Sequence, residues 1–141
     1  MNKSKELQAS IELINKKLHF NGLVENNDPI SIDYTPPLGD NLGYTSLELL
    51  LLSLSSCVGS VMLIFLKRME KNIAAFKINA TGIRKEEHPS GFSKIILKID
   101  LDSKNTAAKD IQKIIGMIDS VCPVKSMIKD DVEVEIKYCI N

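Results

Sequence analysis

Residues 47–66 form a twenty-residue, mostly apolar run, and no other segment limits the fold as strongly. Twenty residues is about the length that spans a bilayer. The run also holds Glu48, Gly59 and the four serines Ser53, Ser55, Ser56 and Ser60, and its flanks read as ordinary globular strands. A buried central helix is therefore favoured over a membrane span. A helix apolar around most of its circumference needs cover from more than one layer. Its start is legible, because Thr45-Ser46-Leu47-Glu48 fits a capping box with Thr45 as N-cap and Glu48 at the third position. The basic stretch Lys67-Arg68-Met69-Glu70-Lys71 suits a C-terminus near Lys71.

Around this helix the pattern is that of strands. Residues 7–15, 17–25 and 29–34 alternate as three short strands, with a turn at Asn26-Asn27-Asp28-Pro29 and a loop from Pro36 to Gly43. Residues 73–84 and 92–101 read as a hairpin in which Ile95, Leu97, Ile99 and Leu101 share one face. Residues 106–121 are expected to form one amphipathic helix with the stripe Ile111, Ile114, Ile115, Ile118 and Val121. Pro123 ends it and starts a short helical turn through Lys129. A final strand sets Val132, Val134, Ile136 and Tyr138 opposite Glu133, Glu135, Lys137 and Cys139. Strands and helices do not alternate as βαβ units, so the expected class is α+β with antiparallel sheets, in a single domain over residues 1–141.

Composition narrows the function. Eighteen basic and eighteen acidic residues cancel, leaving no whole-molecule field to attract nucleic acid or an anionic membrane. Three cysteines, an odd number, argue against a secreted disulfide framework. The first residues lack the apolar stretch of a signal peptide, and a cytoplasmic location is expected. There is no glycine-rich phosphate loop, no serine nucleophile elbow and no metal-ligand spacing around His19 or His88. No metal or cofactor is expected.

That leaves the thiols. Pro123 at a first helical position puts Cys122 at the N-cap of the following turn, where free N–H groups lower a thiol pKa. The competing reading is a small apolar residue closing a helix junction. Cys57, three or four residues from Ser53, Leu54, Ser60 and Val61, reads either as core filler or as a thiol that small neighbours leave approachable. Cys139 reads as an incidental exposed thiol. Glu48 is either only the capping acid or a functional group. At nine residues before Cys57 it stands about 13–14 Å away along one helix, so it acts there only indirectly or across a subunit interface.

The segment from Gly43-Tyr44-Thr45-Ser46-Leu47-Glu48 to Cys57, followed much later by Val121-Cys122-Pro123-Val124, resembles the OsmC/Ohr family of osmotically inducible and organic hydroperoxide resistance proteins, nearest its less-characterised branch. The resemblance implies an intertwined homodimer with antiparallel sheets wrapped around long central helices. It implies thiol-dependent reduction of organic hydroperoxides, with Cys57 as peroxidatic thiol, Cys122 as resolving thiol, Glu48 as the helix-start acid and an external dithiol as reductant. It also exposes a departure. Family peroxidases hold the thiolate with an arginine from the N-terminal region, and this chain has no arginine before Arg68. Arg68 is eleven residues beyond Cys57, roughly 16 Å along the helix. Arg84 lies on a strand, and Lys16 or Lys17 lacks the planar fork of a guanidinium. The alternative is a weakly active or non-catalytic dimer that senses redox state or binds a small molecule.

Overall fold

The structure is a computed structural model and describes residues 5–141. The chain divides into two compact units, residues 1–49 and residues 50–141.

In the first unit β1 (Ser10–Leu13), β2 (Phe20–Leu23) and β3 (Ile30–Ile32) form an antiparallel meander in that order. All three strands are shorter than the alternation suggests. A parallel bridge pairs Tyr44 with Ile32. Gly43 is required beside it, since a Cβ there would overlap the Ser31 carbonyl. Buried Asp33 organises the intervening loop by accepting hydrogen bonds from the N–H groups of Tyr34 (2.7 Å), Asp40 (3.1 Å) and Leu42 (3.1 Å). Burial raises its pKa, but these donors and the nearby His19 outweigh that and leave the carboxyl below the usual carboxylate range. Ser31 donates to the Leu42 carbonyl and shares a 2.6 Å contact with His19 Nε2.

The helix α1 (Ser46–Arg68) begins as its sequence requires: Thr45 N–H donates to Glu48 (2.8 Å) and Glu48 N–H to Thr45 Oγ1 (3.3 Å). It ends three residues before Lys71. Glu70 turns left-handed at φ 59°, Lys71 N–H reaches back to the Leu66 carbonyl and Glu70 N–H to that of Lys67, a Schellman closure.

In the second unit β4 (Ala75–Arg84), β5 (Phe92–Asp102) and β6 (Glu133–Ile140) lie side by side in sequence order. Register places Ile78, Ile99 and Tyr138 in one row and Ala80, Leu97 and Ile136 in the next, so one face is apolar throughout. Ile95, Leu97, Ile99 and Leu101 are fully buried there, together with Leu54, Val58, Met62 and Leu66 of α1. Gly59 lets α1 lie close on β4, because a Cβ would stand 3.2 Å from the Phe76 ring and 3.4 Å from Ile78.

Two expectations need correction. The sheet is mixed: β6 pairs parallel to β5. The intervening helices carry the chain back to the start of β5, which is the crossover a parallel pair demands. The single helix expected over 106–121 is two, α2 (Ala108–Ile115) and α3 (Ile118–Val121), while the turn expected after Pro123 is α4 (Pro123–Ser126). The break falls at Gly116 and Met117, and Ala107 is the N-cap of α2, with Asp110 accepting its N–H. On α1, Leu52, Leu63 and Ile64 are exposed.

Candidate functional site

The apolar stripe of the crossover runs Ile111, Ile114, Ile118 and then Cys122, each buried. Spacings of three and four residues carry one helical face inward despite the break. Val121, expected in the stripe, points out and is 40% exposed. The stripe thus delivers the Cys122 thiol to the interior of the second unit, and its place in the series 111, 114, 118, 122 was the signal available in the sequence.

There it meets Cys57. The two sulfurs stand 2.8 Å apart, with the Cys122 S–H donating to Cys57 Sγ, across 65 residues of intervening chain. That is inside van der Waals contact and longer than a disulfide at about 2.05 Å. Both are free thiols. Cys57 is half-buried and Cys122 only 1% exposed, so the first is the one a solute reaches. Cys139 is exposed at the edge of the second unit's sheet, 3.6 Å from the Asn141 side-chain oxygen.

The expected activation of Cys122 by a helix N-terminus is not what the structure shows. Cys122 is the N-cap of α4, but that helix has only four residues and its N–H groups do not dominate the thiol. Burial pushes the Cys122 thiol up, the hydrogen bond it gives Cys57 adds to this, and the Lys125 and Val124 N–H groups pull weakly the other way. Cys122 is a protonated donor.

The serines that make Cys57 approachable do not activate it. Ser55 donates to the Leu51 carbonyl (2.7 Å), Ser56 to that of Ser53 (3.0 Å) and Ser60 to that of Ser56 (2.7 Å). The arginines are also engaged elsewhere. Arg68 lies over the Phe65 ring, 5.4 Å from its centroid, and Arg84 binds the Ser90 carbonyl and hydroxyl across the β4–β5 turn. Lys17 pairs with Asp40 at 2.6 Å. Glu48 is occupied by Thr45, first by its backbone N–H and then by its hydroxyl, and these bonds lower the carboxyl's pKa. An unforeseen feature brackets Cys122: Asp119 of α3 and Lys125 of α4 pair at 2.9 Å. Among the described residues no group of three or more histidine, cysteine, aspartate or glutamate side chains is placed to hold a metal ion.

Comparison with known proteins follows the same line. The family model described as OsmC-like protein matches residues 39–137. No curated protein matches the chain significantly. A hypothetical protein of Aquifex aeolicus superposes with a TM-score of 0.84 at 22% identity, covering 98% of both chains. An OsmC-like protein of unknown function from Vibrio cholerae gives 0.83 at 16% identity, covering 96% of this chain and 100% of its own. An organic hydroperoxide resistance protein from Elizabethkingia anophelis gives 0.73 at 16% identity over the whole of both chains.

Proposed function

The chain belongs to the OsmC-like family, and on that premise we propose that it is a thiol-dependent peroxidase that reduces organic hydroperoxides. The observation that carries the reading is the approach of Cys57 and Cys122 to 2.8 Å, the first half-exposed and the second buried. The Cys57 thiolate attacks the terminal peroxide oxygen. An S–O bond forms, the O–O bond breaks, and the alkoxide leaves and takes a proton from water. Sulfur gives up two electrons and becomes a sulfenic acid. The Cys122 thiol then displaces water to form the disulfide, and an external dithiol restores both thiols by exchange. No cofactor is needed. The apolar walls around the pair favour apolar hydroperoxides.

The fold and family make this a soluble protein. The helix α1 is long and apolar enough to cross a membrane, and here it is the core helix of the second unit. Three free cysteines fit a reducing, cytoplasmic setting. The exposed apolar residues Leu52, Leu63 and Ile64 on α1 support a homodimer in which a second copy covers that helix.

The engagement of Arg68 by Phe65 and of Arg84 by Ser90 favours one alternative, a redox-sensing or small-molecule-binding dimer without efficient turnover. Treating the reduced protein with one equivalent of cumene hydroperoxide and mapping its thiols by mass spectrometry separates the two. A rapid Cys57–Cys122 disulfide with Cys139 free, abolished in Cys57→Ser, is the peroxidase result. Slow oxidation, or oxidation mainly at Cys139, rejects it.

A further inference from the structure

We infer that Cys57 and Cys122 form a chelating dithiol site for trivalent arsenic that carries one organic group, as in an aryl arsenoxide. The inference uses the placement of the two thiols and stands apart from their reaction with peroxide.

Three observations carry it. The first is the pair itself: two free thiols with their sulfurs 2.8 Å apart, Cys57 half-buried and Cys122 buried beside it. With 65 residues between them, only the fold brings them together. The second is that the set stops at two. Among the described residues no group of three or more histidine, cysteine, aspartate or glutamate side chains is placed to hold a metal ion. The third is the apolar setting. Leu54, one helical turn before Cys57, and Ile118, one turn before Cys122, are both buried.

These features select the ligand. Thiols favour soft centres. A structural zinc ion takes four protein ligands and finds two here. With bonds of about the 2.3 Å that sulfur makes to zinc, a linear two-coordinate ion such as copper(I) holds its sulfurs about 4.6 Å apart. It also leaves a net negative charge beside the buried Cys122, whose neighbour Lys125 is already paired with Asp119. Trivalent arsenic makes three bonds near right angles. The same bond length then sets two sulfurs about 3.3 Å apart, close to where these stand. The third bond carries the organic group, and the product is uncharged. Two S–As bonds replace the As–O bonds, and the oxygen takes both thiol protons and leaves as water. Arsenic and sulfur keep their oxidation states, so no oxidant or reductant is required.

The test uses phenylarsine oxide on the reduced protein in a Cys139→Ser background, with the adduct followed by intact mass spectrometry through a wash with excess glutathione. The parent pair gains one phenylarsenic group, loses two hydrogens and has both thiols protected from iodoacetamide. Its adduct survives glutathione and is removed by ethanedithiol. Cys57→Ser and Cys122→Ser each bind through one sulfur, about 10²-fold more weakly, and glutathione strips them. A parent adduct that glutathione removes, or that leaves one thiol open to alkylation, overturns the inference. So does a Cys57→Ser variant that keeps the adduct as the parent does, a comparison independent of any damage from altering the buried Cys122. A retained adduct on a protein that does not consume cumene hydroperoxide removes the peroxidase reading and leaves this site standing. Hydroperoxide consumption without a retained adduct does the reverse.

Discussion

Oxidation of the Cys57–Cys122 pair makes the protein markedly harder to melt. The two residues are 65 apart in sequence, so the bridge closes a long loop in the unfolded chain. Loop-closure entropy for that length is worth about 4 kcal/mol near room temperature. Sulfurs already 2.8 Å apart need little rearrangement to bond, which leaves most of that gain intact. With the usual unfolding entropy per residue, a chain of 141 residues converts it into a rise in Tm of roughly 14 °C. Calorimetry on reduced protein, and on protein oxidised with one equivalent of hydroperoxide at the same concentration, measures the difference directly. Cys57→Ser treated identically shows no rise. If the cross-linked form, verified by mass spectrometry, melts at or below the reduced form, the native placement of these two sulfurs is wrong.

Three further outcomes follow from the geometry. Glu70→Gly relieves a side chain held at φ 59° in the closure of α1; offset by the freer unfolded chain, the gain is about 0.5–1 kcal/mol, seen as a rise in Tm of a few degrees. Gly82→Ala pushes a methyl into the Phe92 ring and costs on the order of 1–3 kcal/mol; Phe92→Leu in the same chain recovers part of it, and additive losses would refute the clash. Asp33 has a lowered folded pKa, so its contribution is present above the unfolded value near pH 4 and is lost as pH falls through the folded value. The gap in denaturant midpoint between the parent and Asp33→Asn therefore narrows from about pH 5 to about pH 3, and an unchanged gap refutes the role of that carboxylate.

What could be read from the sequence was periodic or local. Ile95, Leu97, Ile99 and Leu101 share a buried face because side chains alternate in a strand whatever its neighbours. Thr45 and Glu48 cap α1 because their bonds close within four residues. The direction of β6 was hidden, since alternation is identical in parallel and antiparallel strands and only the path of the crossover decides between them. The protonation of Cys122 stayed open in the sequence for a related reason. Pro123 advertises a helix start locally, whereas the burial that governs the thiol is a product of tertiary packing. The fate of the arginines was also tertiary, as nothing in the spacing of Arg84 and Ser90 announces their bond.

The long separation of the two thiols has a consequence on the ribosome. At about 5–20 residues per second, Cys57 leaves the peptidyl-transferase centre some 3–13 seconds before Cys122 is added, given the 65 residues between them. Throughout that interval the nascent chain carries the more accessible sulfur without its partner. If the pair works as proposed, an oxidant met then finds a thiol whose sulfenic acid has no partner within the chain. On that proposal, newly made protein is more exposed to irreversible oxidation or to capture by small thiols than the finished fold, and a pulse of peroxide would mark young molecules in preference to old ones.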